Sequence, residues 1–170
     1  RGDLGVCHLA LAEALNASRD KGGVEAAREA TRLNPALIDA WRELGDALLE
    51  LRQAGKAEEA FREVIARDPS NAFGLAKLAQ ALLEQGRSSE ALESITAAAE
   101  KGGDPFFLAA VRGDILGEMN RHNEAADAYD QALRVEPDDH WALHQAALEH
   151  GRAGNDERAG ELFEKALHFD

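Results

Sequence analysis

Apolar residues along the chain form pairs of stripes at helical spacing, and the pairs recur with a period of about 34 residues. One phase of this period holds residues that end a helix, namely Pro35, Pro69, Gly103 and Pro137. A second phase lies between the two stripes and suits the left-handed residue at a helix C-terminus, with Gly86, Asn120 and Gly154. Each period is therefore predicted to be a helix, a tight turn and an antiparallel helix.

The phase predicts five repeats in a single array over residues 1–170, starting at about Leu4, Ile38, Ala72, Phe106 and His140. In the first two repeats the glycines come late, at Gly22–Gly23 and Gly55. A longer first helix and a shorter second helix are expected there. The chain opens on Arg1 without an initiator Met or a signal-peptide pattern, so we expect a fragment of a longer protein.

Composition supports an all-α fold, because Ala and Leu dominate the apolar residues and only 5% of the chain is aromatic. The formal net charge of −13 repels phosphate backbones and anionic lipid, so neither nucleic acid nor a membrane is an expected partner. A basic or apolar peptide suits this charge better. The single cysteine, Cys7, excludes an internal disulfide.

The order of large and small residues within a repeat resembles the signature of the tetratricopeptide repeat family. In the second repeat it consists of Trp41, Leu44, Gly45, Leu48, Ala57, Phe61 and Pro69. Four repeats carry the signature, and the first departs from it, with Cys7 at the place of a large residue. The resemblance implies a right-handed superhelical solenoid of antiparallel helix pairs that binds other proteins and is not an enzyme.

Packing explains this signature. Small residues are expected where the two helices of a repeat cross closest, at Gly45, Ala79, Gly113 and Ala147. Large residues on the second helix are expected to fill the space towards the next repeat, at Phe61, Ile95, Tyr129 and Phe163. Each repeat leaves one face bare, so stability depends on the stacking of neighbours.

No residue pattern predicts a catalytic site, a cofactor site or a metal site. His140 and His144 have a spacing that suits a metal, but a third ligand is missing, and two partly exposed histidines are the simpler interpretation. Cys7 is expected to be a small buried apolar residue and not a nucleophile. His150 falls at a core phase and is expected to be a buried imidazole with a hydrogen bond.

In tetratricopeptide arrays the first helices line a concave surface, and the resemblance implies that ligands bind there. Three aromatic residues recur at one phase of these helices: Phe73, Phe107 and Trp141. Carboxylates follow a second phase with two more nearby: Glu50, Glu84, Glu118, Asp46 and Asp114. With Arg42 and Lys77 they make up a candidate groove for an Arg- or Lys-bearing segment. Packing of each ring on the preceding loop is the alternative.

Members of the family that clamp a C-terminal carboxylate use paired Lys and Asn on the first helices. The matching pairs here are His8 with Ala12, Arg42 with Asp46, and Ala76 with Gln80. The resemblance therefore makes an acidic C-terminal peptide a poor candidate.

Two other functions stay open. The array could serve a larger enzyme of the sulfotransferase, glycosyltransferase or oxygenase type by recruiting its substrate or a partner. It could also self-associate through an uncapped last helix, whose apolar residues are then expected to face water or a neighbour: Leu162, Phe163, Ala166, Leu167 and Phe169.

Overall fold

The computed structural model describes residues 2–17 and 22–167. These residues form ten α-helices and no strand: α1 (Gly2–Ala17), α2 (Gly22–Leu33), α3 (Ile38–Glu50), α4 (Ala54–Arg67), α5 (Ala72–Glu84), α6 (Ser88–Glu100), α7 (Pro105–Glu118), α8 (His122–Val135), α9 (His140–Arg152) and α10 (Asp156–Leu167). The predicted all-α class and its alternation of first and second helices are confirmed.

The chain divides into two compact units, an N-terminal unit over residues 1–87 and a C-terminal unit over residues 88–170. The N-terminal unit holds the helix pairs α1–α2 and α3–α4, with α5 packed on α4. The C-terminal unit holds α6 followed by the pairs α7–α8 and α9–α10. The prediction of one array over the whole chain stays a prediction.

Four of the tight turns share one backbone conformation at one phase of the repeat. The left-handed residue is Arg52, Gly86, Asn120 and Gly154 in turn, each one repeat period after the last. In the second repeat the amides of Arg52 and Gln53 donate to the carbonyls of Leu49 and Leu48, at 2.8 Å each. This pair of hydrogen bonds closes the C-terminus of a helix in a Schellman motif.

The late glycine of the second repeat, Gly55, does not end a helix, and that prediction is wrong. Gly55 lies inside α4, and α3 ends at Glu50, in phase with the first helices of later repeats. Arg52 takes the left-handed position with φ of 57°, because the two backbone bonds of the turn outweigh the modest steric cost of its Cβ. In the first repeat α1 is indeed the longer helix, and residues 18–21 lie outside the described part.

The small residues of the first helices receive aromatic rings from the second helices of the same repeat. A Cβ at Gly45 would lie 2.6 Å from the ring of Phe61, and a Cβ at Gly113 would lie 2.6 Å from the ring of Tyr129. Both rings are buried. Phe61 therefore packs α4 against α3, and Tyr129 packs α8 against α7, within one repeat each. The predicted contacts of these rings with the next repeat would come in addition.

Three further sequence predictions concern burial. His150 is buried, and its Nε2 atom lies 3.1 Å from Asp130 Oδ2, as expected. Cys7 is exposed and not buried, because it shares the outer face of α1 with the exposed Leu4 and Leu11. Leu162 is buried and not exposed, because α10 turns it into a cluster with residues of α8 and α9.

Of the other apolar residues of the last helix, Leu167 is 71% exposed and Phe163 is partly exposed, as predicted. Ala166 is partly buried against the α8–α9 cluster, and Phe169 lies outside the described residues. The outer face of α10 therefore does present apolar surface.

Candidate partner-binding groove

The first helices of three repeats, α1, α3 and α5, line a groove of about 490 Å³ in the N-terminal unit. We call it the acidic groove. Its described lining residues are Glu13, Asn16, Glu43, Asp46, Leu49, Glu50, Lys77, Gln80 and Glu84. These described residues include five carboxylates and one lysine, so the groove carries a net negative charge.

Helical periodicity places these polar side chains opposite the core. On α3 the groove residues Glu43, Asp46 and Glu50 follow at steps of three and four. Between them Leu44 and Leu48 point into the core of the unit, where both are buried. The burial of the apolar stripe therefore fixes the direction of the acidic one.

Several groove side chains are held in place by neighbouring helices. The amide of Asn16 on α1 donates both to the backbone carbonyl and to Oε2 of Glu43 on α3, at 3.1 Å each. Lys77 Nζ on α5 lies 3.2 Å from Asp46 Oδ1, and the Arg52 guanidinium lies 3.2 Å from Glu84 Oε1. Burial raises the pKa of Asp46, and the nearby Lys77 ammonium opposes this shift.

Phe73 lies in the first turn of α5 and is 40% exposed. Two cations approach its ring: Lys77 Nζ lies 5.4 Å and Arg42 Cζ lies 5.6 Å from the ring centroid. Both distances are within the range of cation–π attraction. Phe73 thus belongs to the charged surface of the N-terminal unit and not to its core.

In the C-terminal unit two of the predicted residues, Asp114 and Trp141, contact Tyr129. The Tyr129 hydroxyl donates to Asp114 Oδ1 at 2.6 Å, and the Trp141 ring meets the Tyr129 ring edge-on at 5.8 Å between centroids. Burial raises the pKa of Tyr129, and the Asp114 carboxylate adds to the shift. Burial also raises the pKa of Asp114, which Tyr129 opposes by its hydrogen bond and Glu118 reinforces by its charge.

The predicted groove residues of the C-terminal unit differ in how far they are exposed. Trp141 is 44% exposed and Glu118 is exposed, whereas Phe107 is half-buried. The backbone amide of Phe107 donates a hydrogen bond to the carboxylate of Asp104, which caps the N-terminus of α7. An exposed ladder from Phe73 to Trp141 would extend over both units, and it stays a prediction.

The structure brings Asp46, Glu50, Lys77 and Glu84 together in one groove, and Arg42 lies beside it in an ion pair with Glu43. Five lining residues were missed: Glu13, Asn16, Glu43, Leu49 and Gln80. Three of them share phases with predicted residues, because Asn16 and Glu43 lie one repeat period before Glu50 and Lys77, and Gln80 lies one repeat period after Asp46. The match of Asn16 with Glu50 was not recognised, because the first repeat departs from the signature.

Metal binding and membrane spanning find no support in the described part of the chain. Over residues 2–17 and 22–167 no group of three or more His, Cys, Asp or Glu side chains could hold a metal ion. The His144 ring instead meets the Phe163 ring edge-on at 5.9 Å. Within the same residues no helix is long and apolar enough to cross a membrane.

Comparison with known proteins agrees with the repeat pattern. A family described as a tetratricopeptide repeat-like domain matches residues 43–150, and a tetratricopeptide repeat family matches residues 9–72. No curated protein sequence matches the chain.

Solved structures resemble the chain over nearly its whole length. PilW, a type IV pilus biogenesis factor, has a TM-score of 0.89 at 18% identity, covering 96% of this chain and 76% of its own. MamA from Desulfovibrio magneticus RS-1 has a TM-score of 0.83 at 15% identity, with coverages of 98% and 94%. YrrB, a tetratricopeptide protein with an unusual peptide-binding site, has a TM-score of 0.71 at 17% identity, with coverages of 95% and 84%. These likenesses show the fold, a helical-repeat solenoid, and confirm the predicted class.

Proposed function

The chain belongs to the tetratricopeptide repeat family, a class of protein-interaction scaffolds, and from this premise we propose that its acidic groove binds an extended peptide segment rich in Arg or Lys. Helical-repeat proteins use the extended surfaces of their stacked first helices for binding. We propose further that the chain is a scaffold without catalytic activity of its own.

The observation that carries the proposal is the charge of the groove. Five carboxylates and one lysine line it within the described residues, and only part of this charge is paired internally. A cationic segment would gain long-range attraction during approach and ion pairs once bound. An anionic segment would meet repulsion in the same place.

The form of the groove favours an extended ligand. Its lining residues come from three first helices, of which α1 contacts α3 and α3 contacts α5, so an extended segment could contact all three. YrrB, which shares the fold, is described as having a peptide-binding site. The paired Lys and Asn that would clamp a terminal carboxylate are absent from the matching positions. Internal basic segments are therefore the preferred ligand class.

Calorimetric titration with an arginine-rich synthetic peptide tests the proposal. We expect binding that weakens about tenfold when salt rises from about 0.05 M to about 0.5 M, because salt screens the exposed carboxylates. A peptide of the same length with Glu in place of Arg should not bind. The double variant Glu50→Gln, Glu84→Gln should bind about tenfold more weakly.

A matched control removes the same charge elsewhere in the N-terminal unit. Glu25 and Glu59 are exposed and lie on the second helices α2 and α4, away from the groove. The variant Glu25→Gln, Glu59→Gln should bind nearly as well as the parent protein. Equal losses in the two double variants, or no binding by the parent protein, would overturn the groove proposal.

Self-association is a second candidate, favoured by the exposed apolar surface of α10. Phe163 and Leu167 are exposed there. We expect sedimentation velocity over a wide concentration range to show a larger species that disappears in the variant Phe163→Ser, Leu167→Ser. The variant Val135→Ser, at an exposed apolar position on α8, serves as control. A parent protein that stays monomeric throughout contradicts self-association.

The alternative that the array serves a larger enzyme stays a prediction.

A further inference from the structure

Lys77, which lines the acidic groove, and Arg42 both approach the exposed ring of Phe73. Lys77 Nζ and Arg42 Cζ lie 5.4 and 5.6 Å from the centroid of the Phe73 ring. An exposed ring that attracts cations from two helices, α3 and α5, has the property that a cationic ligand requires. The same surface therefore presents a π face and carboxylates side by side.

Both cations also meet a groove carboxylate. Lys77 Nζ lies 3.2 Å from Asp46 Oδ1, and an Arg42 guanidinium nitrogen lies 3.6 Å from Glu43 Oε1. Glu43 is fixed from the other side by Asn16, so its carboxylate keeps its place when its partner leaves. The position of the Glu43 carboxylate is thus fixed by the fold, whereas the two cations lie at the ends of long flexible side chains.

The contacts of Arg42 are weak enough for a ligand to replace. The Arg42 ion pairs to Asp39 and Glu43 are long, at 3.5 and 3.6 Å, and its side chain is 39% exposed. Exposed pairs of this kind contribute little to stability. Lys77 is more enclosed, but its ammonium is a single point charge on a four-carbon stem that can swing into water.

An arginine side chain of a ligand would suit the position between the Phe73 ring and the Asp46 carboxylate better than Lys77 does. A guanidinium is planar, stacks on an aromatic face and can bond a carboxylate through two nitrogens at once. It is also less strongly hydrated than an ammonium, so it costs less to remove from water beside a ring. Phe73 offers the face, and Asp46 offers the carboxylate.

We propose that Phe73 and Asp46 form a subsite for an arginine side chain of the bound segment, and that Lys77 occupies this subsite until the ligand displaces it. The inference rests on the proposed binding of basic segments and adds the selectivity of the groove. Lys77 acts as an internal competitor. Its contact with Asp46 also limits the cost of burying that carboxylate while the groove is empty.

Two variants test the subsite with calorimetry, using one peptide whose cations are all Arg and a second in which they are all Lys. Lys77→Met keeps the length of the side chain and removes its charge, so the affinity for the Arg peptide should rise about two- to fivefold. Phe73→Leu keeps an apolar side chain and removes the ring. It should lower the affinity for the Arg peptide about two- to fivefold and abolish any preference over the Lys peptide.

The control for charge is Lys56→Met, which removes one cation from the exposed surface of α4 in the same unit. It should change the affinity much less than Lys77→Met. If the parent protein binds both peptides but Lys77→Met equals Lys56→Met, or if Phe73→Leu keeps the Arg preference, the subsite is overturned while the groove proposal survives. If neither peptide binds the parent protein, both proposals fail. Circular dichroism of Phe73→Leu should match that of the parent, because the ring is exposed.

Discussion

The substitution Phe61→Ala is expected to lower the free energy of unfolding of the N-terminal unit by about 3–5 kcal/mol. Phe61 is fully buried, and its ring fills the hollow that Gly45 leaves on the neighbouring helix. Removing the ring loses its transfer free energy and leaves a cavity between α3 and α4. Urea unfolding followed by the fluorescence of Trp41, in a Trp141→Phe background, reports on this unit.

A second substitution tests whether the loss of stability comes from the contact between the Phe61 ring and Gly45. Gly45→Ala in the parent protein places a Cβ 2.6 Å from the Phe61 ring, so it should destabilise by about 1–3 kcal/mol. In the Phe61→Ala background the same methyl group fills part of the cavity and improves helix propensity by about 1 kcal/mol, so it should stabilise. The same cost in both backgrounds would show that ring and glycine are not coupled.

The substitution Glu58→Ala is expected to lower the stability of the same unit by about 2–3 kcal/mol at neutral pH. Glu58 is buried on α4, yet it accepts hydrogen bonds from Gln85 at 2.8 Å and from Arg87 at 2.7 Å. Arg62 forms a third charged contact at 2.6 Å. Glu59, the next residue along α4, is exposed, and Glu59→Ala should cost little by comparison.

The cost of Glu58→Ala should depend on pH. Burial alone would raise the pKa of Glu58, but the hydrogen bonds from Gln85 and Arg87, together with the charges of Arg62 and Arg87, hold the pKa below its ordinary value of 4.5. A carboxyl with a lowered pKa in the folded state contributes stability that is present above the unfolded pKa and lost as pH falls through the folded value. The difference between parent and variant should therefore shrink below about pH 4.5. A difference that stays constant down to acid pH would contradict the charged network.

The repeat architecture could be predicted because it depends on local chemistry repeated at one spacing. Helix-ending residues and apolar stripes recur in phase. The helices of a repeat with a weak signature can therefore be placed from the repeats beside it. The turn of the second repeat could not be predicted in this way, because its left-handed position holds an arginine and not a glycine or asparagine. Arg52 takes a left-handed turn that the pattern assigned to Gly55, because two backbone hydrogen bonds and not residue preference decide that turn.

Burial at the ends of the pattern was harder to predict, because it depends on what covers a helix face. Cys7 occupies a core phase by spacing, yet it lies on the outer side of α1 and is exposed. Leu162 was expected at the surface, yet it packs into the cluster of Tyr129 and Leu143. Periodicity divides a helix into faces, but only the packing of the neighbouring helices tells which face is buried.

The sequence by itself determined the helical repeats, their phase, the acidic charge and the candidate groove residues Glu50 and Glu84, because each is a property of spacing and side-chain type. Only the tertiary structure decided that Asn16 holds Glu43 and that Lys77 lies between Asp46 and Phe73. The first of these contacts joins α1 to α3, and the ion pair of Lys77 with Asp46 joins α5 to α3. Their distances depend on how the helices cross, which no single-residue pattern encodes.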